Sequence, residues 1–260
     1  MISTYETIKV EEKDGAAYLY FNRPDAMNAL NLEMIKELAD TLKAIAMKDD
    51  IHILVLSGNG KAFSAGGDIK AMLAMEEEKG FTSFMNQINE AVSILVGMPK
   101  LTIAAINGAA AGLGLSLALA CDTIISDLDS KIAMNFIGIG LVPDGGGHYL
   151  LQRRIGQEKA KKVIWEGKVM SAEEAAETGI IDEAVPDLAL AVDQKITEWQ
   201  KKPVLAMIKT KKIYTELNRP DFNKSLELEK HAQWKMRQTK DHKEGIRAFV
   251  EKRAPQFKGE

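Results

Sequence analysis

One cysteine, Cys121, stands in 260 residues. That excludes an internal disulfide framework and suits a reducing compartment. There is no basic excess: 34 Lys and Arg oppose 37 Asp and Glu, a net charge of −3. Without a broad positive field the chain is a poor partner for a phosphate backbone, so nucleic acid is not expected. The opening MISTYETIKVEEKDG lacks a basic segment followed by an apolar core, which predicts no secretory signal and a cytoplasmic protein. The four histidines show no ligand spacing and no Cys/His/carboxylate cluster, so no metal is expected. Low-complexity segments are missing too.

Long apolar runs are nearly absent, and the exception is instructive. Residues 101–120, LTIAAINGAAAGLGLSLALA, have about the length of a membrane-spanning helix. Gly108, Gly112 and Gly114 interrupt the run, and Asn107 lies inside it. Its first half is β-branched at Thr102, Ile103 and Ile106, which favours a strand. No second such run accompanies it. A buried strand, a glycine turn and a buried helix fit better than a membrane span, and no membrane partner is expected.

What is present reads as a globular α/β chain, 46% hydrophobic and 27% charged, long enough for one large domain or a domain with an appendage. Stretches 6–12 and 16–22 read as strands joined by Asp14-Gly15, a hairpin signal. Met34, Ile35, Leu38, Leu42, Ile45 and Ala46 keep helical period behind Asn31, an N-cap. Strands are expected at 51–58, 101–106, 123–126 and 131–134, with a helix over 81–97. Strand–strand–helix order recurs. Ser171 and Glu174 form a capping box and Gly179 ends that helix. Beyond 188 the pattern is helical and lysine-rich, with Pro203 at a helix start and Pro220 between helices. The stripes Ile196/Trp199 and Leu226/Leu228/Trp234/Met236 need cover, from this chain's core or from a neighbouring subunit.

Three glycine turns carry the chemical interest: FSAGGD (63–68), GAAAGLGLS (108–116) and PDGGG (143–147). None is a dinucleotide fingerprint or an NTP phosphate loop. Glycine turns that feed helices leave N–H groups free, reinforced by the positive helix end. Two such turns facing one another would hold a developing oxyanion between amide donors. Either turn alone would read as packing.

The ordered set NRPDAMNALN, KAFSAGGDIKAM, AAINGAAAGLGLSLALACD, GLVPDGGGHYLLQRRIG and AFVEKRAPQF resembles the crotonase (enoyl-CoA hydratase/isomerase) superfamily from end to end. The resemblance implies a crotonase-like spiral of strand–strand–helix repeats over residues 1–190, carrying an acyl-CoA site. It also implies a C-terminal helical trimerisation region over 191–260, and a homotrimer or dimer of trimers. Acyl-CoA thioesters are the implied substrates; coenzyme A is part of the substrate, and no separate cofactor is expected. Carried over position by position, the oxyanion donors are the backbone N–H groups of Gly67 and Leu113. Arg23, Ala26, Ala65, Asp68, Ile69 and Lys70 are implied to line the coenzyme A channel. Phe249 and Lys252 match positions that reach coenzyme A, often from a neighbouring subunit. Arg23, Lys70 and Lys252 suit phosphate counter-charges; each equally suits a solvated surface.

Hydratases of this family use two glutamates. Here the first position is Ser116 and the second is Phe136, and neither side chain can activate water or deliver a proton. The nearest remaining acid is Asp144 in VPDGGG. In isomerase-like relatives an acid in this turn faces the acyl chain as the base, and one carboxylate suffices for a 3-enoyl to 2-enoyl shift. Partial burial would raise its proton affinity; the bland alternative is an ordinary Pro-Asp-Gly turn. Met72, Leu73, Met75, Phe81, Phe84, Met85 and Ile88 are candidates for an apolar acyl wall, or for plain core. Residues 76–78, EEE, read as a solvated loop, Asp122 as structural, and His148 as a helix-start residue. The expected activity is enoyl-CoA isomerase, with enoyl-CoA hydratase as the alternative and a non-catalytic acyl-CoA- or RNA-binding homologue as a further one.

Overall fold

The computed structural model describes residues 5–73, 75 and 77–260. β1 (Ile8–Lys13) and β2 (Ala16–Phe21) form the expected antiparallel hairpin. Its two-residue turn puts Asp14 and Gly15 at φ 50° and 76°, the left-handed pair that matches strand twist. In α1 (Leu32–Ala46) the Asn31 side chain accepts the Met34 N–H at 3.0 Å. One face of that helix, including Ile35, Leu38, Leu42 and Ile45, is wholly buried. Each such side chain contributes roughly 1.5–3 kcal/mol by leaving water.

Three strand pairs with helices follow in chain order. β3 (Ile53–Gly58) and β4 (Ala62–Ser64) lead to α2 (Ile69–Leu73) and α3 (Glu78–Gly97). β5 (Leu101–Ile106) and β6 (Ala109–Ala111) lead to α4 (Leu113–Leu119). β7 (Thr123–Asp127) and β8 (Lys131–Ala133) lead through a single turn at 135–139 to α5 (Gly147–Ile155). Then come α6 (Gln157–Glu166), β9 (Met170–Ser171), α7 (Ala172–Thr178) and β10 (Glu183–Val185). The chain ends in α8 (Leu188–Gln200), α9 (Val204–Arg237) and α10 (Lys240–Val250).

Strands sort by their place in each pair. The first members join a six-stranded sheet in the order β1-β2-β3-β5-β7-β10, and the second members a four-stranded sheet in the order β4-β6-β8-β9. β3 to β5, β5 to β7, β4 to β6 and β6 to β8 all pair parallel. β3 and β5 are buried along their whole length, as continuous apolar runs in parallel strands require. This is the mixed α/β spiral that the resemblance implied. The apolar run at 101–120 resolves into β5, β6 and α4, and no helix of the described residues is long and apolar enough to cross a membrane.

The main core lies among α1, α3, α4 and the inner strand faces; Val192, Ile196, Trp199 and Ile208 of α8 and α9 cover Ile53, Val55, Ile103 and Ile125 on the six-stranded sheet. Ile196, Trp199 and Leu226 are therefore core of this chain, whereas Leu228 is 60% exposed. Pro220 corrects the sequence reading: it lies inside α9, not between two helices. Its ring removes one bond of the helical ladder. The helix runs on because Ile208 is anchored on the sheet before it, and Phe222 and Leu226 in the main core after it.

Candidate active site

The site is built where the short strands end. β4 and β6 lie side by side, so the turns that leave them, 65–68 and 111–113, are neighbours. A Cβ on Gly66 (φ +95°) would sit 2.7 Å from the Ala111 carbonyl oxygen and 3.5 Å from the Leu113 nitrogen. Gly114 packs as tightly against the end of β4, its Cβ position being 2.6 Å from the Ser64 carbonyl oxygen. Glycine is needed at both places because backbone occupies the space a side chain would fill.

Gly67 makes an isolated parallel bridge with Leu30: Leu30 N–H donates to the Gly66 carbonyl and Asp68 N–H to the Leu30 carbonyl. In that pattern the bridge uses the groups of residues 66 and 68, and the N–H of Gly67 points away from Leu30. Neither the Gly67 nor the Leu113 N–H has an acceptor among the described residues. Leu113 opens α4 behind Gly112 (φ 52°), so its N–H is one of the helix's orphan donors. Two unspent amides thus occupy adjoining turns. Met72 lies beside them, its sulfur 3.1 Å from the Cβ position of Gly67.

Asp144 sits in the third glycine turn. Gly145 (φ +61°) brings that turn against the other two: its Cβ position is 2.6 Å from Leu113 Cδ1, 3.3 Å from Ser116 Cβ and 3.6 Å from Ile88 Cγ2. The acid is 7% exposed. Its Oδ1 is buried with no partner among the described residues, and its Oδ2 has only a long contact, 3.4 Å, to Gln233 Nε2. Burial pushes the carboxyl well above the usual carboxylate range, and the charge of Glu229 adds to the rise. An acid so placed holds its proton to higher pH than a solvated carboxyl does.

The two positions where hydratases carry glutamate flank the same bend. Ser116 is fully buried and its Oγ donates to the Asp144 carbonyl at 2.8 Å. The Phe136 ring stands 3.6 Å from the Cβ position of Gly112. One substituent holds the turn that carries Asp144, and the other makes the space beside the bend apolar.

The residues expected to meet coenzyme A divide into two groups. Arg23, Ala26, Ala65, Asp68, Ile69 and Lys70 are drawn together by Ala65 N–H to the Met27 carbonyl, 2.9 Å, and by an ion pair, Arg23 Nη1 to Asp68 Oδ2, 3.0 Å. Asp68 Oδ1 also caps α2 through the N–H groups of Lys70 and Ala71. Arg23 further binds the Ala29 carbonyl, so part of its donor set is committed to the loop itself. Lys70 is exposed. Phe249, 60% exposed, lies in the last turn of α10, and Lys252 (φ 53°) lies just beyond that helix; no hydrogen bond or ion pair among the described residues ties either to the first group.

Of the acyl wall, Phe81, Phe84, Met85 and Ile88 are buried, and Met72 and Met75 pack on the core from its edge. Leu73 departs from it: at 51% exposed it lies on the outer side of the short α2. Glu77 and Glu78 are exposed as expected, and Glu76 lies outside the described residues. Asp122 is structural, bound by the Thr102 N–H and hydroxyl and by Lys211. His148 is a helix-start residue whose N–H and Nδ1 both meet Glu229.

Three residues that sequence reasoning missed come from α9. Glu229 and Gln233, 3% and 1% exposed, meet the Asp144 turn. Arg237 donates to the carbonyls of Met72 and Met75 and lies 5.0 Å over the Phe81 ring. Their only signal was a four-residue spacing along a helix crowded with charge.

The family model described as enoyl-CoA hydratase/isomerase matches residues 11–260. A Bacillus subtilis protein bearing the double name enoyl-CoA hydratase/isomerase is 50% identical over 244 residues, 94% of this chain and 95% of the relative. The 1,2-epoxyphenylacetyl-CoA isomerase of Escherichia coli is 34% identical, covering 98% and 99%. A crystal structure of an enoyl-CoA hydratase from Mycobacterium avium subsp. paratuberculosis superposes with a TM-score of 0.88 at 27% identity, covering 98% of this chain and 100% of that one.

Proposed function

This chain belongs to the enoyl-CoA hydratase/isomerase family of crotonase-superfamily enzymes, and we propose that its reaction is the shift of a 3-enoyl-CoA to the 2-enoyl-CoA. The carrying observation is Asp144: a buried carboxylate with one unpartnered oxygen, in a turn packed against Leu113, where both hydratase glutamates are replaced. In this reading the thioester oxygen lies between the N–H groups of Gly67 and Leu113. Asp144 takes a proton from C2; the C–H pair moves into the C1–C2 bond and the carbonyl pair onto oxygen, giving a dienolate. Return of the same proton to C4 moves the double bond to C2–C3 and restores the carbonyl. Each amide lowers the enolate's energy by ~3 kcal/mol in comparable sites. A single acid serves both carbons because they lie on one face of an extended acyl chain, and no water needs activating.

Arg23, Ala26, Ala65, Asp68, Ile69 and Lys70 line the coenzyme A channel in this proposal, with Lys70 the free cation for a phosphate. Phe249 and Lys252 complete the channel of a neighbouring subunit in a trimer. Their exposure and their separation from the first group support that assignment.

The test is turnover of matched 3-enoyl-CoA and 2-enoyl-CoA, followed by conjugated-thioester absorbance and by product identification. Wild type should isomerise the first substrate, and Asp144→Asn should lose roughly 10²–10⁴ of the rate. Equal rates in both proteins, or hydration of 2-enoyl-CoA faster than isomerisation, would overturn the reading.

A further inference from the structure

α9 is polar along most of its length, yet two of its polar side chains are buried one helical turn apart. Glu229 is 3% exposed and Gln233 1%; four residues apart, they share one face. A buried carboxylate must be compensated, and here the close partners come from the turn that carries Asp144 and the start of α5, with only a long contact, 3.5 Å, from the Ser225 hydroxyl of its own helix. Glu229 Oε2 accepts the Gly146 N–H at 2.7 Å, and Oε1 accepts the His148 N–H at 3.0 Å and lies 2.8 Å from His148 Nδ1. These are first-turn donors of α5, which has no cap from its own N-cap residue, Gly146. Glu229 therefore caps α5 from another element, where the helix end favours an anion. Gln233 grips the other side of the turn, donating to the Val142 carbonyl and, at 3.4 Å, to Asp144 Oδ2.

We propose that Glu229 and Gln233 are positioning residues for Asp144: α9 clamps residues 142–148 from both sides, aims the acid, and sets a fixed negative charge and one amide donor behind it. This rests on the reading of Asp144 as the base. The two residues act on its proton in opposite senses. A neighbouring negative charge favours the protonated acid, whereas a donor to the ionised form favours the carboxylate. The groups facing Asp144 are few. Glu229 and Gln233 come from α9, with His148 of α5 beyond Glu229; from α4 the Ser116 hydroxyl meets the Asp144 carbonyl, and Ile88 of α3 and Leu113 of α4, which carry no charge, pack on the adjoining Gly145.

The experiment compares wild type, Glu229→Gln and Gln233→Leu by the acid limb of the pH–rate profile for 3-enoyl-CoA. In parallel, the Asp144 carboxyl is titrated in protein labelled with ¹³C-carboxyl aspartate, its signal assigned by its loss in Asp144→Asn. Glu229→Gln should move the limb and the titration down by about one pH unit, and Gln233→Leu should move both up by roughly half a unit. Each should lower kcat about tenfold or more. A merely structural clamp would lower the rate and leave the Asp144 titration in place, and that result overturns the proposal. Should Glu229→Gln not fold, the sign of the Gln233→Leu shift decides: upward supports, unmoved or downward refutes. If the Asp144 titration moves as stated but the rate is indifferent to Asp144→Asn, the clamp stands and the assignment of the base fails.

Discussion

Replacing Asp144 by asparagine should make the protein more resistant to heat, and increasingly so as the pH rises. The buried carboxyl has one oxygen without a partner and one with a 3.4 Å contact, so ionising it inside the fold is costly. Burial, with the Glu229 charge behind it, raises its proton affinity well above the usual carboxylate range. Between the ordinary carboxylate range and the raised one, the native chain holds a proton that the unfolded chain has released. The unfolded state then binds fewer protons, and the unfolding free energy falls with rising pH. That loss is absent at low pH, where both states are protonated, and complete once the native acid has ionised. Each unit of rise corresponds to about 1.4 kcal/mol. Asparagine removes the penalty but leaves a buried amide N–H to satisfy, costing about 1 kcal/mol. The mutant's advantage should therefore widen from about pH 5 to about pH 8.5, each 1 kcal/mol of relief appearing as about 2–4 °C in Tm for a chain of this size. Thermal unfolding from about pH 5 to about pH 8.5, at one protein concentration so that assembly contributes equally, reads the difference directly. A gap between mutant and wild type that is independent of pH, or a mutant less stable at high pH, refutes the reasoning.

Gly114→Ala should cost ~1–3 kcal/mol in urea unfolding and more than tenfold in turnover. The new Cβ would lie 2.6 Å from the Ser64 carbonyl oxygen and 2.8 Å from Ser64 Cβ, forcing the start of α4, and with it the Leu113 N–H, away from Gly67; wild-type stability and rate would contradict this. Restoring a glutamate by Ser116→Glu should not create a hydratase, since the Ser116 Oγ already lies 2.9 Å from the Cβ position of Gly147 under the Asp144 turn. The larger, charged side chain should lower stability by ~3 kcal/mol or more, and a gain in hydration of 2-enoyl-CoA would show this packing to be misjudged. The Cys121 thiol, 6% exposed and pushed up to about 12 by burial with a further push from Asp122, should resist thiol reagents in the native protein and give one equivalent on unfolding. Rapid modification of the native protein counts against that burial.

What was legible in the sequence was local. Asp14-Gly15, Asn31 and the Ser171/Glu174 capping box act within a few residues, and each appears in the structure as expected. The three glycine turns were visible for the same reason, and parallel pairing of the short strands then places the first two side by side. What was missed depends on distant packing. Glu227 and Glu229 look alike in the chain, yet Glu227 is solvated while Glu229 is 3% exposed beneath the Asp144 turn. Pro220 read as a break because local chemistry disfavours it within a helix, and core contacts on either side override that preference. The sequence groups Leu73 with Met72 and Met75, which do pack on the core; in a helix as short as α2 one step of rotation turns Leu73 outward.

The repeat architecture itself accounts for where this site lies. Each repeat ends its short strand in a turn that feeds a helix or helical turn, and β4, β6 and β8 pair parallel in one sheet. Parallel pairing puts equivalent ends at the same edge, so the turns after the three strands must converge there. The first turn carries Gly67, the second Leu113, and the third Phe136, whose ring meets Gly112. The two unspent amides come from consecutive repeats with no side chain involved, so under the proposed reading the donor pair follows from strand order and glycine placement. The acid is different in kind: it enters from the start of α5, beyond the third turn, and is held there by a helix more than eighty residues further along the chain. Substitutions in the glycine turns should therefore disturb every reaction this scaffold supports, whereas changes at 144, 229 and 233 should fall on the steps that need the acid.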